Sequence, residues 1–368
     1  MGCAMGIGRF VYTPVLPFMA EAIPLTASQA GLIASANFLG YLLGALGTSF
    51  RLPGAPKIWM LGALIASAVT TGAVGFSSSV AVIAGLRFLG GMASAFAMVF
   101  ASSLVLDGLA RAGRPSLSWV HFAGVGIFIA LSSQVILLPV GWEGMWVVSG
   151  VVSLVGVVVV GFLVPGSPAA QPSASAAAQT GSDRGGLIRL AVAYGLFGFG
   201  YVITATFLIA IVRAQPTLRA FEPVAWLAVG LAAAPSVLIW VTIGRRIGLE
   251  SAFALSCAVE AAGVLFSLWN TTAGILLSAV LLGGTFVGIT ALGLQAARAK
   301  TAGDPRRALG LMTTAFSVGQ IVGPSFAGFL RDHTGSFSLP TVFAAAALLV
   351  ATGLSAKPAA ASGTAGRR

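Results

Sequence analysis

Arg9 is the residue whose chemistry most needs an explanation. It stands in the apolar run Gly6-Ile7-Gly8-Arg9-Phe10-Val11-Tyr12-Thr13-Pro14. On a helix, Tyr12 and Thr13 share its face at i+3 and i+4. A guanidinium presents five donors in a planar fork that suits a carboxylate or phosphate. Asn37 and Tyr41 repeat the i+4 spacing, and Tyr194, Tyr201 and Gln320 are further polar groups within apolar runs. These eight residues form a candidate substrate-binding set. Pro14 and Pro17 follow Arg9 and free backbone carbonyls, a device found where a helix lines a cavity. Two readings of Arg9 stand open. It binds an anionic group of a substrate, or it is structural, capping freed carbonyls or pairing with a protein acid.

A second set of ionisable residues could couple or gate. Arg87 is a further charge within an apolar run. Glu260 is the carboxylate placed midway along an apolar run. It is either a proton-binding site or a neutral carboxyl bonded to a neighbour. His121 either titrates near neutral pH in a coupling role or simply packs. Enzyme chemistry needs a nucleophile with its base, or a metal with several ligands. Two histidines, His121 and His333, and nine acids mostly in loops supply neither, so neither an enzyme, a metal site nor a cofactor is expected. Cys3 and Cys257 both sit in apolar segments and suggest no disulfide framework.

Those side chains need elements to hold them, and the composition says which. The chain has 368 residues, of which 57% are hydrophobic and 8% charged, with a mean hydropathy of +0.98. A soluble domain carries roughly 25% charged residues, so lipid must cover this surface. Continuous apolar runs exclude the alternating pattern of a β-barrel. About twenty apolar residues cross the hydrocarbon layer, and twelve such runs are present: 1–20, 28–50, 57–76, 80–106, 116–140, 145–164, 187–212, 223–244, 251–269, 272–297, 309–331 and 338–356. The fold class is therefore an all-α polytopic membrane protein of twelve spans. Segment 165–186, rich in Pro, Ala, Ser and Gly, reads as a flexible linker. It separates a six-helix bundle, 1–164, from a second one, 187–356, with a tail at 357–368.

Lys and Arg set the orientation. Fifteen of them, including Arg51, Lys57, Arg111, Arg114, Arg184, Arg245, Arg246, Arg298 and Lys300, fall on one side, and Arg213, Arg219 and Arg331 on the other. The positive-inside rule then puts both termini in the cytoplasm, across a bacterial inner membrane. It also accounts for the net charge of +11 without a nucleic-acid partner. The start at Met1 inside an apolar stretch has no signal-peptide pattern and is expected to trim the first turns of the first helix.

Gly6 and Gly8 align with Gly198 and Gly200 at one offset, which sets Arg9 opposite Tyr201. Parallel six-helix repeats of this kind are the major facilitator arrangement. Arg87-Phe88-Leu89-Gly90-Gly91 resembles that superfamily's Arg-x-x-x-Gly pattern, which implies proton transfer or helix locking for Arg87; with no acid in spans 1, 2, 5, 7, 8, 10 or 11, locking suits it better. Arg245-Arg246-Ile247-Gly248 resembles its Asp-Arg-x-Gly gating loop, with Arg245 in place of the acid. Arg51-Leu52-Pro53-Gly54-Ala55-Pro56-Lys57 also lacks the acid. Gly319-x-x-x-Gly323-Pro324-x-x-x-Gly328 is similar to the antiporter Gly-Pro signature, moved here to the eleventh span. The stretches 6–14 and 194–201 resemble the YbfB/YjiJ-type branch, and the resemblance covers essentially the whole chain. It implies a secondary transporter, expected to be a monomer, that moves a small molecule by alternating access. An organic anion is the candidate cargo. Protons are the candidate coupling ion, with Arg246, Gly323 and Pro324 in gating. The alternative is a transport-inactive sensor that binds a small ligand.

Overall fold

A computed structural model describes residues 1–50, 52–164, 183–301 and 306–356. Most of the expected linker and all of the expected tail lie outside these residues. The twelve expected spans are twelve helices: α1 (Gly2–Ala22), α2 (Ala27–Gly47), α3 (Pro56–Ala73), α4 (Val80–Arg111), α5 (Ser118–Ser132), α6 (Trp142–Leu163), α7 (Arg184–Arg213), α8 (Glu222–Ile247), α9 (Leu249–Phe266), α10 (Thr272–Ala299), α11 (Arg306–Thr334) and α12 (Ser338–Ser355). No strand occurs among the described residues. Eleven of the helices are long and apolar enough to cross a membrane by length and composition. The twelfth is α11, which carries Thr313, Thr314, Ser317, Gln320 and Ser325. Its polar residues explain its lower hydropathy, and Ser325 and Gln320 both bond within the protein.

The connections are short and have legible causes. Thr26 caps α2 by accepting from Gln29 N–H at 3.1 Å, while the Gln29 side chain accepts from Thr26 N–H at 3.0 Å. This reciprocal pair satisfies two of the free donors at a helix start. Only Gly248 separates α8 from α9, at φ +91°. That left-handed backbone favours glycine and gives the Arg-Arg-Ile-Gly loop its last residue a structural reason. Arg246, just before it, is exposed.

Small residues set how closely the helices cross. Gly40 and Gly44 of α2 face the backbone of α4 at Phe88 and Met92, and Gly91 of α4 faces that of Asn37. Between the halves, α11 is wedged against α7 and α2. Gly319 and Gly323 lie on the α7 backbone at Gly195 and Phe199, Gly31 of α2 meets the Pro324 carbonyl, and Gly328 meets that of Ala27. On the other flank, Gly126 of α5 meets the backbone of Gly230 and Ala233 in α8. Within the Gly-Pro signature of α11, Gly319 and Gly323 thus pack on α7 of the same half, while Pro324 and Gly328 meet α2 of the other.

Helix α1 departs from the expected continuous span. It opens as a π-helix over Gly2–Ile7, breaks at Gly8–Val11 and resumes as α-helix at Tyr12. Gly8 N–H reaches five residues back to Cys3 O at 2.9 Å, and Thr13 N–H reaches only three back, to Phe10 O at 3.2 Å. Switching from wide to tight turns strands the carbonyls between them, and π segments recur at functional sites. Arg9 sits on the break.

Candidate functional site

The stranded carbonyls are taken by Arg87. Its Nη1 donates to Gly8 O at 2.6 Å and its Nη2 to Arg9 O at 2.8 Å. The guanidinium also lies over Tyr12 and Trp146, at 5.3 and 5.5 Å from their ring centroids. Arg87 therefore locks α4 to the broken part of α1. Arg9 makes no bond to those two carbonyls; its own side-chain bond goes elsewhere.

Arg9 is then free to turn its side chain across the interface. It is 5% exposed, and its Nη2 donates to Gln320 Oε1 of α11 at 2.8 Å. Gln320 in turn donates to the Tyr201 hydroxyl of α7. The two residues that the repeat sets opposite each other, Arg9 and Tyr201, thus meet through Gln320. Phe38 and Tyr41 of α2 face the Arg9 guanidinium, each with its centroid 4.5 Å away. Tyr201 stacks between Phe286 at 5.7 Å and Phe316 at 5.8 Å, nearly parallel to both. Phe10 completes the wall, edge-on to Phe286 at 5.6 Å.

The remaining predicted residues divide between this layer and its supports. Thr13 donates to Ala205 O of α7 at 2.6 Å, which ties the halves beside Arg9. Tyr12 donates to Ala30 O at 2.8 Å, within the first half. Asn37 does not face the centre: its amide donates to Arg87 O at 2.8 Å and fastens α2 to α4. The Tyr41 hydroxyl donates to the Met98 sulfur at 3.3 Å while its ring faces Arg9. Tyr194 stacks on Phe316 at 4.9 Å and donates to Thr290 O at 3.3 Å, one step removed from Arg9. His121 is apart, bonded to Ser102 at 3.2 Å between α4 and α5. Glu260 is fully buried in α9, and neither carboxyl oxygen has a hydrogen-bond partner among the described residues. The bonded neighbour expected as one alternative is absent there.

Between Arg9 and Arg87 lies a cavity of about 10 Å³, lined also by Thr13 and Thr206. It has room for about one water. No carboxylate is bonded to either guanidinium among the described residues, and the Nε of each is buried without a partner.

Further ties join the halves from this layer towards the face opposite the basic one. Ser35 donates to Ile321 O at 2.6 Å and bonds Ser325 at 2.8 Å. Asp332 at the end of α11 accepts from Ala27 N–H at 3.0 Å and Ser28 N–H at 2.8 Å, at the start of α2. Arg213 of α7 forks onto Glu222, with both bonds at 2.8 Å, and reaches Glu21 of α1 at 3.2 Å. Trp226 donates to Ser132 at 2.9 Å across α8 and α5. These contacts leave no mark in the sequence, because they lie at helix ends or use serines with no spacing signal. The aromatic wall had a signal: Phe38 precedes Tyr41 by three places, on one helix face.

Twelve helices, a repeat that meets across a polar central layer, and glycine-lined crossings between the halves define a membrane transporter of the major facilitator class. The chain matches, over residues 1–356, the family described as Uncharacterised MFS-type transporter YbfB, and it belongs to that family. No curated protein matches it. Among solved structures it is similar in fold to the nucleoside transporter NupG, crystallised as a mutant. The TM-score is 0.73 at 14% identity, covering 96% of this chain and 97% of that one.

Proposed function

We propose that this protein is a secondary transporter of a small organic anion, working by alternating access of helices 1–6 against 7–12 about the Arg9 layer. One observation carries the reading: two buried guanidiniums, Arg9 and Arg87, meet no carboxylate of the protein among the described residues. A charged side chain at mid-membrane costs about 2.5–3.5 kcal/mol on insertion scales. Arg87 recovers part of that cost from two carbonyls, whereas Arg9 has one neutral amide and the faces of Phe38 and Tyr41. A carboxylate or phosphate of the substrate supplies the missing charge and takes the Nη2 donor that Gln320 now occupies, while Phe38 and Tyr41 keep their faces against the guanidinium. Apolar stacking partners around a few polar groups suit an organic anion over an inorganic one.

Orientation follows from the charge bias. With the basic face in the cytoplasm, the ties at Asp332, Arg213 and the α2–α11 glycines close the periplasmic side. The unpartnered carboxyl of Glu260 supports proton coupling, since an ionised carboxylate in an apolar interior is costly. Collapsing the pH gradient should then slow transport, and Glu260→Gln should make transport indifferent to that gradient.

The site is tested by thermal stabilisation of the purified protein with matched organic anions, neutral solutes and lipophilic cations. A ligand at about a hundred times its dissociation constant adds roughly 2.7 kcal/mol to stability. At least one anion should stabilise the wild type by more than it stabilises Arg9→Gln. Stabilisation by cations or neutral solutes, unchanged in Arg9→Gln, would reduce Arg9 to a structural residue. Flux of the stabilising anion into proteoliposomes separates a transporter from a sensor that only binds.

A further inference from the structure

The face opposite the basic one has three arginines, Arg213, Arg219 and Arg331, and all three line one cavity of about 520 Å³. They arrive there from different elements: the end of α7, the 3₁₀ turn Pro216–Phe221 and the end of α11. Charge asymmetry across the membrane keeps Lys and Arg off this face, so three exceptions converging on one cavity need a cause. The cavity has the size of a small-molecule site. Its floor is apolar, with Leu16, Ala30 and Phe207 among the lining.

The arginines are not equally committed. Arg213 is held by Glu222 and Glu21 and forms a wall. Arg219 spends its Nε on the Arg213 carbonyl at 3.1 Å and has no carboxylate partner among the described residues. Arg331 stands 4.0 Å from an Asp332 oxygen, and both Asp332 oxygens already accept from the start of α2. Arg219 and Arg331 are exposed. Two guanidiniums with spare donors therefore stand over an apolar floor.

We infer that this vestibule is a second binding site, separate from the Arg9 layer, for an amphipathic organic anion whose charged end meets Arg219 and Arg331 and whose apolar body fills the floor. The inference goes beyond the proposed function and stands without it.

The test uses the full chain in nanodiscs with Ala214→Cys as reporter. Ala214 is exposed and lines the cavity, and the native Cys3 and Cys257 are buried. The rate of modification by a neutral maleimide is read with 4-phenylbutyrate, 4-phenylbutyramide or 4-phenylbutylamine. A ligand at twice its dissociation constant slows modification about threefold. The anion should protect, and the amine should not. Protection should vanish in Arg219→Gln/Arg331→Gln and in Ala210→Phe, which fills the floor, and persist in Arg9→Gln. Equal protection by the amine, no protection by the anion, or protection surviving both vestibule variants would overturn the inference. Protection lost in Arg9→Gln alone would move the anion to the central layer and overturn it too.

Discussion

Replacing Asp332 by Asn should open the face that this structure holds shut. The carboxylate takes two N–H groups at the start of α2, from Ala27 at 3.0 Å and Ser28 at 2.8 Å, across the boundary between the halves. A hydrogen bond to a charged group contributes about 1.5–3 kcal/mol, and a charge at a helix N-terminus about 0.3–1 kcal/mol. Asparagine keeps one acceptor oxygen, so one charged bond and the helix-dipole contribution are lost. The Asp332 side chain is 24% exposed, and water screens part of the loss. The net change is about 2 kcal/mol, or roughly thirtyfold in the ratio of closed to open molecules. Spin labels at Ser78→Cys and Thr217→Cys, one on each half of this face, report the separation by pulsed dipolar spectroscopy. The longer-distance population should rise in Asp332→Asn and fall back in Asp332→Glu. An unchanged distance distribution in Asp332→Asn would refute the argument that this contact holds the halves together.

Arg87→Lys should leave one of the two carbonyls at Gly8 and Arg9 unserved, because an ammonium cannot reproduce the fork. The loss is about 1.5–3 kcal/mol, read as a lower thermal midpoint with transport reduced in parallel; an unchanged midpoint would contradict the capping role. Asp183 starts α7 beside Lys300, whose ammonium bonds it at 2.9 Å, and it also accepts from Gly186 N–H at 2.8 Å. These two hold its carboxyl below the usual range. A depressed carboxylate stabilises the fold above its ordinary pKa and loses that contribution as pH falls through the depressed one. Asp183→Asn should therefore melt below the wild type near neutrality, with the gap closing below about pH 4.

The spans were legible because continuous hydropathy is a property of composition, and lipid imposes it on every helix. Arg9, Tyr201 and Gln320 were legible for the converse reason: a polar group in such a run must meet something. Which partner it meets was not legible. Asn37 and Tyr41 share a spacing, yet Asn37 turns to α4 while the ring of Tyr41 turns to Arg9, because the glycines of α2 bring the α4 backbone close on one side only. The break in α1 was hidden because π and α turns have the same composition. Arg87 therefore looked like a locking residue without a visible object, and the object proved to be backbone. The ties made by Asp332 and Arg213 escaped notice because charged residues at helix ends are the ordinary condition of a membrane protein.

The fastening of Arg9 has a kinetic consequence. Its main chain is held to the first half by Arg87, while its side chain is held to the second half by Gln320. An empty carrier that reorients must strain or break that tether, with nothing to replace it. In the proposed transport cycle, a carrier loaded with an anion exchanges the tether for the cargo and swings without it. Under the proposed function, exchange of one anion for another should outpace net movement, and unloaded return should be the slow step of the cycle.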